Sequence, residues 1–273
     1  MPFRTHLGRS LDFSHRSNVA LIAMAVLTAG LALVFWLNGS PVEVFWAPVD
    51  LYLMWVLIRE VDPDHNWSAL VAAAGAGAWS LALQPRASAL AIAGLIVAAR
   101  LTTSTTGRRP LPTDLAVVAV FGIAIAFTIE GFIAGFAIAV AIYLDDRLYG
   151  ESRRMQVVTA AITAIGSAVV ATAARAFPQT IPEIVPYMAV ATGVVALLLV
   201  VRDPAPPISQ VDARHAAFVR GDRLHASRAL IGMGVFAMTL LVGQEALAFA
   251  PALGALLIVL ISNEVERLRR PNL

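Results

Sequence analysis

Residues 18–37 read NVALIAMAVLTAGLALVFWL, twenty consecutive positions without a charge. At a rise of about 1.5 Å per residue, such a run makes a helix about 30 Å long, the thickness of a bilayer's hydrocarbon layer. Arg4, His6, Arg9, His15 and Arg16 precede it, and Phe35, Trp36 and Leu37 close it. A cleavable signal peptide has a shorter apolar region and a small-residue cleavage site. The run is therefore expected to be a first membrane helix that stays in the protein.

The same pattern recurs along the chain. Further spans are expected at 42–59, 67–84, 87–101, 113–129, 131–145, 156–175, 183–201, 228–246 and 249–265. Crossing a bilayer takes about 20 apolar residues, with a working range of about 17–25. Several of these runs sit at the lower limit, and only Glu130-Gly131 divides 113–129 from 131–145. The expected fold is all-α: a polytopic integral membrane protein with about ten transmembrane helices arranged as five helical hairpins. Residues 1–273 form one transmembrane domain, and 202–227 is its longest cytoplasmic loop. Composition agrees, at 59% hydrophobic and 14% charged with a mean hydropathy of +0.76. A soluble domain holds roughly half apolar and a quarter charged residues, so the excess here needs lipid to face.

Arginine placement orients the map. All 20 basic residues are Arg. With the N-terminus inside, 18 of them fall in cytoplasmic segments and only Arg86 and Arg175 in outer turns. This is the asymmetry of the positive-inside rule, and adding or losing one span would destroy it. Both termini are thus expected in the cytoplasm, in a plasma (inner) membrane. Trp36, Trp46, Trp79 and Tyr187 fall near the outer surface, and Trp67, Tyr143 and Tyr149 near the inner one. That fits interfacial aromatic belts.

Ionisable groups inside hydrocarbon are expensive, which makes each a candidate for function. Asp50 falls near the middle of the second span, two residues after Pro48. A kink there would free carbonyls beside a buried acid. Alternatively, the helix begins at Asp50 and the carboxylate is only its cap. Glu43, Glu130, Glu183, Gln244 and Glu245 fall at the outer ends and would make an acidic mouth for a cation if they converged. Glu43 and Glu183 each follow a Pro at a helix start, where an acid also complements the helix dipole.

A second acidic set, Glu60, Asp62 and Asp64 in REVDPDH and Asp145, Asp146 and Glu151 in YLDDRLYGES, follows the second and sixth spans. Carboxylates at such positions can hold Mg²⁺ against a diphosphate. This placement resembles that of intramembrane prenyltransferases of the UbiA type, which carry two Asp-rich motifs after the same helices. The resemblance implies Asp62, Asp64, Asp145 and Asp146 as metal ligands. The sequence departs from that family's Asn-Asp-x-x-Asp-x-x-x-Asp pattern, and the span count differs by one. The plainer reading is that Arg59, Arg147, Arg153 and Arg154 neutralise these acids in solvated loops.

Other patterns narrow the field. Cysteine is absent, so no thiolate chemistry or disulfide exists. The five His lie in cytoplasmic segments without ligand spacing, and no HExxH, GxSxG, Walker A or dinucleotide-binding motif occurs. No cofactor and no nucleic-acid partner are expected; the bilayer and other membrane subunits are. TTSTTG at 102–107 with Arg108 and Arg109 reads as a flexible loop or an anionic-headgroup contact. Gly131 and Gly135 have GxxxG spacing, which suits close packing within the bundle more than a dimer face. Loop 202–227 is expected to start extended and then to form a solvated linker, or a short interfacial helix with Val211, Phe218 and Leu224 toward lipid. A weak echo of Pro41…Asp62-Pro63 in Pro182…Asp203-Pro204 suggests duplication. The function classes this leaves are a small-solute or ion carrier, then a non-catalytic membrane subunit, then a Mg²⁺-dependent lipid-phosphate or prenyl transferase.

Overall fold

The computed structural model describes residues 16–82, 88–105, 109–149, 154–177, 186–203, 210–211 and 214–269. Among them are ten α-helices. They are α1 Arg16–Leu37, α2 Ala47–Val61, α3 Asn66–Ala82, α4 Ala89–Thr103, α5 Pro112–Ala124, α6 Ile129–Tyr149, α7 Arg154–Ala173, α8 Pro186–Val201, α9 Gly221–Val242 and α10 Ala250–Arg269. Short 3₁₀ segments, Val42–Trp46 and Gly243–Phe249, lead into α2 and α10. Each expected apolar run has its helix. By length and composition α1, α7, α9 and the stretch Glu245–Arg269 could each cross a membrane; α4, α5 and α8 are shorter apolar helices.

The bundle is built around α2, α4, α6 and α9. Helix α4 packs against α2, α6 and α9, and α6 also meets α5 and α7. Helix α3 lays the small side chains Ala69, Ala72, Ala73 and Ala76 in the core, which lets it approach α2 closely. At the periphery, α1 buries only Leu21, Thr28 and Ala32 of its 22 residues. On α7 the stripe Val158, Ile162, Ile165 and Val169 stays more than half exposed.

Four details depart from the hydropathy map. First, the break within 113–145 lies at 125–128, so Glu130 and Gly131 belong to the first turn of α6. The Thr128 hydroxyl caps that turn by accepting the Gly131 N–H at 3.1 Å. A Cβ on Gly131 would collide with the Ile125 carbonyl, and one on Gly135 with the Gly122 carbonyl. The GxxxG pair therefore serves contact between α5 and α6 inside the chain.

Second, α6 runs on to Tyr149, which puts Asp145 and Asp146 inside a helix rather than in the following loop. Third, α9 starts at Gly221, not at 228. Its buried face is Arg223, Leu224, Ser227, Arg228, Ile231, Val235 and Met238, spaced three to four apart as one helical stripe requires. Leu224 thus faces the core, with 1% of its surface exposed. The described residues of this loop form strands and not an interfacial helix: β1 Gln210–Val211 pairs antiparallel with β2 Arg214–Phe218. Fourth, α2 begins at Ala47 with Pro48 in its first turn, where a missing N–H costs nothing. Pro48 therefore starts the helix instead of kinking it.

Candidate functional site

The C-termini of α2, α4 and α6 and the N-terminus of α9 meet at one end of the bundle, the end rich in arginine. There the apolar core gives way to a layer of buried charge. Glu60, Asp62, Asp145, Asp146, Arg223 and Arg228 are all at most 5% exposed. Burial of an isolated ion costs several kcal/mol even after relaxation, so each of these groups needs partners.

The partners form two clusters. In the first, Arg228 of α9 donates through Nε to the Val61 carbonyl at 2.7 Å and places Nη2 3.6 Å from Asp62 Oδ1. Asp62 also accepts from the Ser68 hydroxyl at 2.8 Å and lies 2.9 Å from His65 Nδ1. His65 Nε2 stands 3.7 Å from Glu266 of α10. The hydrogen bond to Asp62 raises the His65 imidazole above its ordinary value; burial opposes this, and the charges of Asp62, Asp64 and Glu266 add to it. Beside this group, Glu60 takes Arg100 Nε and Nη2 at 2.8 and 2.6 Å and the Thr105 hydroxyl at 2.8 Å.

In the second cluster, Arg223 of α9 donates to Asp145 Oδ1 at 3.0 Å and to the Thr102 carbonyl of α4 at 3.1 Å. Gln156 of α7 donates to Asp145 Oδ2 at 2.9 Å and accepts from Arg109 at 2.7 Å; Arg109 in turn reaches Asp146 at 3.5 Å. The result is a chain of charge and amide that runs from α9 through α6 to α7.

These contacts place the expected ligand acids. Asp62 is joined by Arg228 and Asp145 by Arg223, while Asp64 is half-buried beside His65. Among the described residues, no three Asp, Glu or His side chains gather where they could hold a metal ion.

The other acidic set lies toward the opposite end. Asp50, in the first turn of α2, is half-buried and accepts the Ser80 hydroxyl of α3 at 2.6 Å. Glu43 is exposed in the first 3₁₀ segment, and Glu130 is half-buried in the first turn of α6. Glu245 is exposed and Gln244 lies beside it in the second 3₁₀ segment. Glu183 lies outside the described residues. Asp50 thus sits in the seam between α2 and α3, whereas Glu130 belongs to a helix that packs on α4, α5, α7 and α9.

Sequence reasoning missed Arg223, Arg228 and Gln156. The two arginines look like ordinary positively charged loop residues. Their signal was periodic: Leu224, Arg228, Ile231 and Val235 mark one helical face, and an arginine on such a face is a buried one. In comparisons with known proteins, no family model, curated protein or solved structure matches the chain.

Proposed function

We propose that the chain is a multi-pass protein of a plasma (inner) membrane that carries a small solute or ion. It would have ten transmembrane helices in five hairpins, with the arginine-rich end and both termini in the cytoplasm. The outward stripes of Val, Ile and Leu on α1, α7 and α8 support the membrane setting, because such patches stay exposed only where lipid covers them. The 3₁₀ lead Val42–Trp46 brings the second apolar stretch to Val61, and so to the length of about 20 residues a crossing needs.

The observation that carries the transport reading is the buried charged layer on helices of the bundle centre. Apolar side chains can often replace a buried ion pair without loss of stability, although losing one partner alone is costly, and inside membrane bundles such charges mark pathways, couplings and switches. Asp50, at the other end of the same helix α2, is the proposed coupling acid. It is a half-buried carboxylate whose Ser80 partner can donate a hydrogen bond without fixing its charge.

The test is flux in proteoliposomes under imposed proton and cation gradients, with the parent protein beside Asp50→Asn at equal incorporation. Gradient-driven flux that falls at least tenfold in the variant is expected. Equal flux in both removes Asp50 from the coupling role. No flux under any gradient favours a non-catalytic membrane subunit, a reading supported by the thorough pairing of Glu60, Asp62 and Asp145 within the chain. The lipid-phosphate transferase reading has less behind it, since Asp62 and Asp145 each face an arginine of α9.

A further inference from the structure

We infer that the first two turns of α9 are the bolt of a latch: Arg223 and Arg228 lock the arginine-rich end, and withdrawal of both from their carboxylates opens it. The purpose of the latch rests on the carrier reading above; its existence does not.

The geometry has three parts. The two arginines stand five positions apart, which turns their side chains about 140° apart around the helix, at about 100° per residue. They therefore reach different neighbours. Arg228 grips the C-terminus of α2 through the Val61 carbonyl and Asp62. Arg223 grips the C-termini of α4 and α6 through the Thr102 carbonyl and Asp145. Two side chains of one helix thus tie together three other helices.

The second part is electrostatic. A cation is unfavourable near the N-terminus of its own helix and favourable at the C-terminus of another. Arg223 and Arg228 gain from the negative ends of α2, α4 and α6 only while α9 is docked. Undocked, Arg223 burdens the first turn of α9, where Asp222 is the acid. The favourable energy is therefore concentrated in one contact surface that forms or breaks as a unit.

The third part is what the surface leaves unused. Ser227 lies between the two arginines, fully buried, and its Oγ has no hydrogen-bond partner among the described residues. Buried hydroxyls in a seam built only for permanence are nearly always satisfied. A spare polar group here fits a surface that also meets water.

The chain has no cysteine, so one introduced thiol reports without background. Ser227→Cys places it inside the latch, and Ser80→Cys, in a separate protein, places a buried control at the opposite end. Reaction with a small polar thiol reagent is timed in nanodiscs, relative to the same protein unfolded. With the arginine pairs intact, both thiols are expected to be protected. Asp62→Asn with Asp145→Asn should speed reaction at position 227 at least tenfold and leave position 80 within twofold. Exchanging one pair, Arg223→Asp with Asp145→Arg, should recover most of the protection at 227. Equal rates at 227 with and without the carboxylates overturn the latch. So does acceleration at both positions together, which would mean that the pairs only hold the fold. None of these readings depends on flux, so a failed latch and a failed carrier are told apart.

Discussion

The two ends of the bundle finish their helices by different means. At the end holding Gly39 and Thr128, backbone groups close the turns locally. Asn38, Gly39 and Ser40 donate to the carbonyls of residues 34–36, Ala174 to Ala176 to those of residues 170–172, and Ser88 caps α4. At the arginine-rich end, local backbone closures such as Asp62 to Ile58 and Ser104 to Arg100 are joined by side chains from distant segments that take carbonyls at or just past the helix ends. Arg228 takes Val61, Arg223 takes Thr102, Arg220 takes Leu148, and Arg267 with Asn263 takes Asp203. Both satisfy groups that a helix leaves orphaned, but a local turn closes independently of its neighbours. The side-chain scheme ties termination of one helix to the position of another.

If that contrast is right, Arg223→Ala should be the most damaging change. It strands Asp145 as a buried charge with one amide partner left and frees the Thr102 carbonyl, a loss of about 3–5 kcal/mol. A thermal melt in detergent should show a fall of many degrees, and a melt within a degree or two of the parent would break the claim that this end is held by buried charge. Next comes a long-range polar contact toward the other end, Ser80 to Asp50. Ser80→Ala removes a hydrogen bond to a carboxylate and should cost about 1.5–3 kcal/mol if Asp50 is ionised, and roughly 1 kcal/mol or less if it is protonated. The same melt therefore sharpens the charge state of the proposed coupling acid.

The smallest effect is a pH dependence at His65. Its folded-state value is raised, so its contribution is fully present below the ordinary histidine value near 6.5 and is lost as pH rises through the raised one. Stability of the parent should therefore fall as pH rises above the ordinary histidine value, and His65→Asn should flatten that part of the profile. A parent profile that rises over that range, or a variant with the same fall, contradicts a protonated bridge from Asp62 to Glu266.

The same contrast explains what could be read in advance. Helices and their breaks come from local causes: the apolar runs, Pro48 and Pro112 at helix starts, and glycine where Gly131 passes a carbonyl. The division of 113–145 into two helices was marked by Glu130-Gly131 and required by the arginine count, with its position off by a few residues. The charged layer had no local cause. Asp145 and Arg223 are 78 positions apart, and Val61 and Arg228 are 167 apart. Counting arginines by loop gave a consistent orientation while it assigned the two most deeply placed ones to water. Of the acids named beforehand, Asp62 and Asp145 lie in the layer, but their partners were legible only through the period of α9, which hydropathy averaging hides when an arginine interrupts it.

Helix α5 has a further consequence. It spans 13 residues, a rise of about 20 Å, and turns back through the buried residues Ile125 and Ala126. Val117 and Val120 face outward from it, 57% and 66% exposed. In the setting proposed here, acyl chains that touch those valines meet a wall about a third shorter than the usual hydrocarbon depth of about 30 Å. The bilayer must dimple there, short-chain lipids should collect beside α5, and the distance a polar solute travels past that flank is shortened by the same amount.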